Sequence, residues 1–250
     1  MIYIKKSECP NAVQYSINQV KHSEQWKKVN GNPKRARDCF DMLDKESIRE
    51  SLLDEQHGLC AYCMKRITVD NMKIEHWKAI TSDVNEALDY KNFAGCCDGG
   101  SNLDVEDDKR VLCCDSAKGN QDIKINPWNK EQMALVSYTK QGRINITDEE
   151  LQKELDYILQ LNGEICNEKF FHDTSTQLIK GRKDAYDNYK KYVEGISRQL
   201  GNDKKRIANC ISKRICELES RDEYEEFIGV TLYFLKRKLR HCRANGSRGK

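Results

Sequence analysis

Gly58-Leu59-Cys60-Ala61-Tyr62-Cys63 and, after a short gap, Ile74-Glu75-His76-Trp77 are the stretch on which the reading of this chain turns. Two cysteines two residues apart, entered from a glycine, make a tight turn from which two thiolates can grip one ion. A second soft pair lies downstream, in Cys96-Cys97 or in Cys113-Cys114. Four thiolates around one zinc form a closed tetrahedron with no open position, so such an ion is structural. A redox reading of the CxxC lacks the strand-helix context of a thioredoxin-like fold. Of the 12 cysteines, six fall between Cys60 and Cys114. Cys9, Cys39, Cys166, Cys210, Cys216 and Cys242 read as ordinary thiols, with Cys210 on an apolar helix face.

Glu75-His76 adds a carboxylate and an imidazole just beyond this knuckle. Hydrolysis of a phosphodiester needs a base for water, a divalent cation at the phosphate and neutralised charge on the leaving oxygen. Glu75 can hold a hard cation such as magnesium, and a neutral His76 can take the proton. On a strand adjacent side chains face opposite ways, so both reach one cleft only at a twisted strand end.

Outward from this centre the chain becomes helical. Before it, Pro10 opens a segment with Val13, Ile17 and Val20 at helical spacing, and Asn30-Gly31-Asn32-Pro33 reads as a break. A stronger helix begins after Asp44, with Ile48, Leu52 and Leu53 on one face and Gly58 as its stop. Between Cys60 and Trp128 no helical period is visible. Residues 134–139 and 143–147 alternate around Lys140-Gln141-Gly142 and predict a hairpin. Thr147 with Glu150 matches a capping box for a helix that turns Leu151, Leu155, Ile158 and Leu159 inward. Three apolar stripes follow: Ala185, Tyr189, Val193 and Ile196; Ile207, Ile211, Ile215 and Leu218; Phe227, Ile228, Leu232, Leu235 and Leu239. From about Ala244 the chain reads as too polar to pack.

In the 250 residues, 38% are hydrophobic and 33% charged, and the mean hydropathy is -0.82. A polar surface or a large hydrophilic partner is expected. The net charge of +3 hides an asymmetry: residues 180–250 carry 19 Lys and Arg against 10 Asp and Glu, while residues 70–122 are acidic. A basic C-terminal third attracts a phosphate backbone; the acidic centre repels one unless a cation sits there. No stretch approaches the roughly 20 apolar residues of a membrane span, which predicts a cytoplasmic protein with no membrane contact.

The order of further residues carries a resemblance. Asn92, Cys97 and Cys114-Asp115-Ser116-Ala117-Lys118-Gly119 follow Glu75-His76 in the sequence in which the HNH endonucleases place theirs. The chain resembles that family, whose core is a ββα-metal finger, often zinc-stabilised. The resemblance implies Cys60, Cys63, Cys97 and Cys114 as structural zinc ligands and His76 as general base. It also implies Glu75 and Asp115 as ligands of a catalytic Mg2+ or Mn2+, Asn92 as the residue that orients the loop, and Lys118 as a phosphate contact. A long insertion, acidic at Asp104, Glu106, Asp107 and Asp108, separates Cys97 from Cys114 and leaves Cys96 and Cys113 as competing ligands. The last HNH letter is Asp115 instead of His or Asn, an oxygen donor that suits magnesium.

Met1-Ile2-Tyr3-Ile4-Lys5-Lys6 with Pro10, Ile74-Glu75-His76, Cys114 through Asn120 and Ile125-Asn126-Pro127 are similar to one branch, the PtuB-type HNH proteins of Septu and retron anti-phage systems. That likeness implies nucleic acid as substrate and a PtuA-like ATPase as partner, within a retron-containing complex in some systems. The fold class expected is α+β: a zinc-stabilised ββα-metal core with a predominantly α-helical C-terminal region. The organisation expected is an arm and short helix over 1–44, a nuclease domain over 45–147, and a helical, basic docking region over 148–250. The competing class is a non-catalytic zinc adaptor that binds nucleic acid or an ATPase; it leaves the ordered Glu75, His76, Asn92 and Asp115 without a reason.

Overall fold

The computed structural model describes residues 1–102, 112–163, 174–201 and 203–246. Asp104, Glu106, Asp107, Asp108 and Cys166 lie outside the described residues. Helix α1 (Asn11–Lys21) buries Val13, Ile17 and Val20, the stripe predicted behind Pro10. A single turn, α2 (Glu24–Lys27), leads to the break, where Gly31 has φ 75°. The Asn32 side chain then caps α3 (Pro33–Asp41) by accepting from the amides of Lys34 and Arg35. The sequence reading places only an arm and one short helix here. α3 escapes it because a charged segment with only Ala36, Cys39 and Phe40 buried has little local signal, and packing supplies its stability.

Asp44 caps α4 (Lys45–Glu55) by accepting from Ser47 N, and α4 buries Ile48 and Leu52. Gln56, just beyond it, clamps the sheet: its Oε1 accepts from Gly95 N at 2.7 Å and its Nε2 donates to Gly95 O at 2.8 Å. That sheet pairs β1 (Lys73–His76) antiparallel with β2 (Phe93–Cys96), Glu75 opposite Ala94 and His76 opposite Phe93. Helix α5 (Cys114–Lys118) follows β2 among the described elements, and its Lys118 bonds to the β1 residues Glu75 and His76. Its five residues are too few to show a helical period in the sequence.

The predicted hairpin exists but is shorter: β3 (Ser137–Tyr138) pairs with β4 (Ile144–Asn145). Ala134 and Leu135 belong instead to α6 (Lys130–Leu135), capped by Asn129. Helix α7 (Glu149–Lys153) is capped by Asp148, which accepts from Glu150 N and Leu151 N, and not by Thr147. A carboxylate at this position satisfies two orphan amides and also meets the positive helix end. The chain continues through one wide turn (Glu154–Ile158), burying Leu155 and Leu159 as expected.

Helices α8 (Thr174–Gln199), α9 (Lys204–Glu219) and α10 (Ile228–Gly246) form the C-terminal layer. Ile207, Ile211, Ile215 and Leu218 are all buried, facing Leu232 and Leu235 of α10 and Val193 of α8 within one core. α10 runs past Ala244, where the sequence suggested packing would end; buried Cys242 anchors its final turns. The segment before α10 clasps the cysteine knuckle. Tyr224 N donates to His57 O at 3.0 Å and Phe227 N to Met64 O at 3.1 Å, and the rings of His57 and Tyr224 stack at 4.0 Å. The architecture is mixed: helices around two small antiparallel sheets. Among the described residues, no helix is long and apolar enough to cross a membrane.

Candidate active site and cysteine cluster

Cys60, Cys63, Cys97 and Cys114 converge, all four buried, with their sulfurs within 4.8 Å of one another. The Sγ atoms of Cys60 and Cys114 are 3.9 Å apart, those of Cys63 and Cys97 3.7 Å. A tetrahedral zinc with Zn–S bonds of about 2.3 Å would hold its sulfurs roughly 3.8 Å apart, so this donor set fits zinc. Lys65 N also donates to Cys63 Sγ at 3.4 Å, a bond that favours the thiolate. Cys97 and Cys114 complete the set, not Cys96 and Cys113, which are buried beside it. Cys114 reaches the cluster at φ 56°, an unusual backbone for a cysteine, held by its amide's bond to Leu159 O at 2.9 Å. Gly99, at φ 61°, lets the chain pass so close that an added Cβ would lie 2.1 Å from Cys113 O.

One wall away, Glu75, His76 and Asp115 line a single cavity of about 250 Å³, together with Arg37, Ser116 and Asn120. The strand end does bring the neighbours Glu75 and His76 to one cleft. β1 ends at His76, and Asn92 pins the loop that follows. The Asn92 Oδ1 accepts from Lys78 N at 2.8 Å, its Nδ2 donates to Lys78 O at 3.0 Å, and its carbonyl accepts from Trp77 N at 3.0 Å. Asn92 therefore touches the chain beyond His76. Trp77 and Trp128 pack against each other, and the Trp77 indole donates to Ile125 O at 2.8 Å.

His76 is buried edge-on between Phe40 (4.5 Å between centroids) and Phe93 (5.0 Å). Its Nε2 lies 3.3 Å from Ala87 O, and its Nδ1 has no hydrogen-bond partner. A carbonyl only accepts, so Nε2 carries the hydrogen and Nδ1 presents the lone pair. Burial pushes the imidazole down to about 3 despite the Ala87 carbonyl, and the charges of Arg37, Lys45 and Lys118 act in the same direction as burial. The ring is thus neutral at neutral pH.

Glu75 is held well above the usual carboxylate range, first by burial and then by the hydrogen bond and charge of Asp115. Lys118 opposes this. Its ammonium lies 2.6 Å from Glu75 Oε1 and donates to His76 O at 2.9 Å, with side-chain exposures of 1% and 5% for the pair. Lys118 is therefore not a surface lysine. Tyr62, inside the CxxC, has its hydroxyl 3.4 Å from Glu75 Oε1, and burial pushes its phenol up, leaving it a donor. Two adjoining carboxylates at a polar cavity form an oxygen donor set that fits a hard divalent cation.

Sequence reasoning missed Arg37 and Phe40, because α3 was not anticipated, and missed Tyr62. The only signal for Tyr62 was a bulky phenol inside a metal knuckle. A larger cavity of about 320 Å³ opens among α8, α9 and α10, lined by Tyr189, Tyr192 and Phe227 with no histidine in its wall. The smaller one holds His76 with the two carboxylates Glu75 and Asp115.

No protein-family model matches the chain. Over 104 residues it is 27% identical to the retron Vc95 putative HNH endonuclease of Vibrio cholerae serotype O1 biovar El Tor, a match covering 40% of this chain and 47% of that protein. The chain spans about half the length of the curated relative it matches. The family in that protein's name is the one that the order of the motifs in this chain resembles.

Proposed function

We propose that this chain is a metal-dependent HNH endonuclease with a ββα-metal core, the effector subunit of a Septu- or retron-type anti-phage complex that includes a PtuA-like ATPase. One observation carries the enzymatic part: His76, whose buried Nδ1 has no hydrogen-bond partner, lines the same cavity as Glu75 and Asp115. β1 carries Glu75 and His76 and α5 carries Asp115, with β2 between them in the chain, the order strand, strand, helix. The complex and its ATPase rest on the motif resemblance and on the retron in the relative's name.

In this reading His76 Nδ1 takes the proton from the attacking water, while the Nε2–H bond to Ala87 O keeps the ring aimed. Glu75 and Asp115 would hold Mg2+ or Mn2+, which supplies Lewis-acid charge at the scissile phosphate and leaving oxygen. Lys118 and Tyr62 hold the Glu75 carboxylate in place. Asn92 fixes the turn after His76, and with it the imidazole. Residues 148–250 serve docking to the partner and to nucleic acid.

Incubation of the purified chain, alone and with its ATPase, with plasmid DNA and with RNA tests the reading. Cleavage that needs Mg2+ or Mn2+ is expected, falling about 10²- to 10⁴-fold in His76→Ala, the span usual for a lost general base. Equal cleavage by His76→Ala and the parent refutes it. Binding to nucleic acid or ATPase without any cleavage in any combination favours the zinc adaptor.

A further inference from the structure

Helices α3 and α4 gather three basic side chains close to one another, Arg37 at the cavity and Lys45 and Arg49 on α4, none of them given a role in the reaction above. Arg37 lines the cavity, with its guanidinium carbon 5.4 Å from the centre of the Phe40 ring. The Lys45 ammonium sits 2.8 Å from the centre of the same ring. That ring packs edge-on against the His76 imidazole. Arg49 lies one turn along α4 from Lys45, on the same helix face, and its Nε is buried without a hydrogen-bond partner.

Against these charges stands Asp41, 3.5 Å from Lys45 and largely exposed. The consequence is visible on Lys45. Burial holds its ammonium down to about 7 despite Asp41, and Arg37 and Arg49 add their repulsion. Like charges gathered around one ring cost stability, and a buried unpaired donor costs more. A ligand with several anionic oxygens relieves both. Guanidinium forks match phosphate oxygens in geometry as well as charge.

We propose that Arg37, Lys45 and Arg49 clamp successive phosphates of a nucleic-acid strand and so position the bond that lies at His76. The clamp rests on the nuclease reading, but it concerns binding and is separable from cleavage. It also makes α3, within the first forty-odd residues, part of the substrate site.

Fluorescence anisotropy of a labelled oligonucleotide, over a range of salt concentrations and in a His76→Ala background to prevent cutting, tests it on the full zinc-loaded chain. Each phosphate contact contributes about 0.7 (single strand) to 0.9 (duplex) to the slope of log affinity against log salt. Arg37→Gln with Arg49→Met is therefore expected to lower the slope by roughly 1.4 to 1.8. The melting temperature of that double variant should stay equal or rise, because repulsion and the unpaired donor are both removed. Arg37→Lys with Arg49→Lys should retain most of the slope, and excess inorganic phosphate should not displace the strand.

An unchanged slope and affinity in the Gln/Met variant overturns the clamp while leaving the nuclease reading intact if the parent still cleaves. Loss of binding accompanied by a lower melting temperature, or shared equally by the Lys variant, also overturns it. Full displacement by inorganic phosphate overturns it in favour of a site for a free anion. A parent that neither binds nor cleaves any oligonucleotide removes the nuclease reading and the clamp with it.

Discussion

Lys118→Met keeps the aliphatic stem and deletes the ammonium that lies 2.6 Å from Glu75 Oε1 and 2.9 Å from His76 O. Both partners are buried, so water cannot replace the lost charge. Removing one member of such a pair costs about 3–5 kcal/mol, because the other is left as an uncompensated buried ion. Glu75 also adjoins Asp115, whose charge already pushes the Glu75 carboxyl upward, so the two carboxylates would face each other without a cation. In a chain of this size 1 kcal/mol moves the melting temperature by about 2–4 °C, which predicts a fall of roughly 6–20 °C at neutral pH without divalent ions.

Two further signatures separate this from a packing defect. A carboxyl raised in the folded state contributes stability that is fully present below its unfolded value and lost as pH rises through its folded value. In Lys118→Met the carboxyl is raised further, so the deficit should shrink towards pH 5 and widen towards pH 8. Adding Glu75→Gln should recover most of the loss, a coupling that a double-mutant cycle measures. Mg2+ or Mn2+ should stabilise Lys118→Met more than the parent. Differential scanning calorimetry across pH and metal reads all of these. A change in melting temperature under about 2 °C, or a deficit independent of pH and of residue 75, refutes the argument.

The cysteine cluster predicts one equivalent of zinc per chain, released together with folding in Cys60→Ser or Cys114→Ser; metal analysis beside circular dichroism checks it, and a soluble, monodisperse parent without zinc refutes it. Lys45, held down to about 7 with Asp41, Arg37 and Arg49 around it, predicts a pH dependence of the opposite hand to that of a raised group. Above about pH 7 the folded chain has released a proton that the unfolded chain keeps, so stability should rise from there towards pH 10. Urea unfolding should show that rise in the parent and a flatter profile in Lys45→Met; identical profiles would refute it.

Local spacing determined what was legible in the sequence. The CxxC, the Glu75-His76 pair and the apolar stripes of α1, α4, α9 and α10 are patterns within one element or one turn, and the structure buries those stripes except for Leu53 and Leu239, which are partly buried against the core. The order of Asn92, Cys97, Cys114 and Asp115 carried the family resemblance. Thr147 and Asp148 show where local reading stops: two adjacent capping residues look alike in sequence, and backbone direction chooses the second.

Tertiary structure alone decided the rest. Cys96 against Cys97, and Cys113 against Cys114, differ by one residue, and one residue turns a side chain from one face to the other. The end of β2 and the left-handed backbone at Cys114 make that choice. The resemblance implies Lys118 as a phosphate contact, and only the tertiary structure sets its ammonium on Glu75 and on the carbonyl of His76. Arg37 and Phe40 reach His76 from α3, far away in the chain. Contacts over such separations are made when apolar faces meet in a common core, and that meeting leaves no period in the sequence.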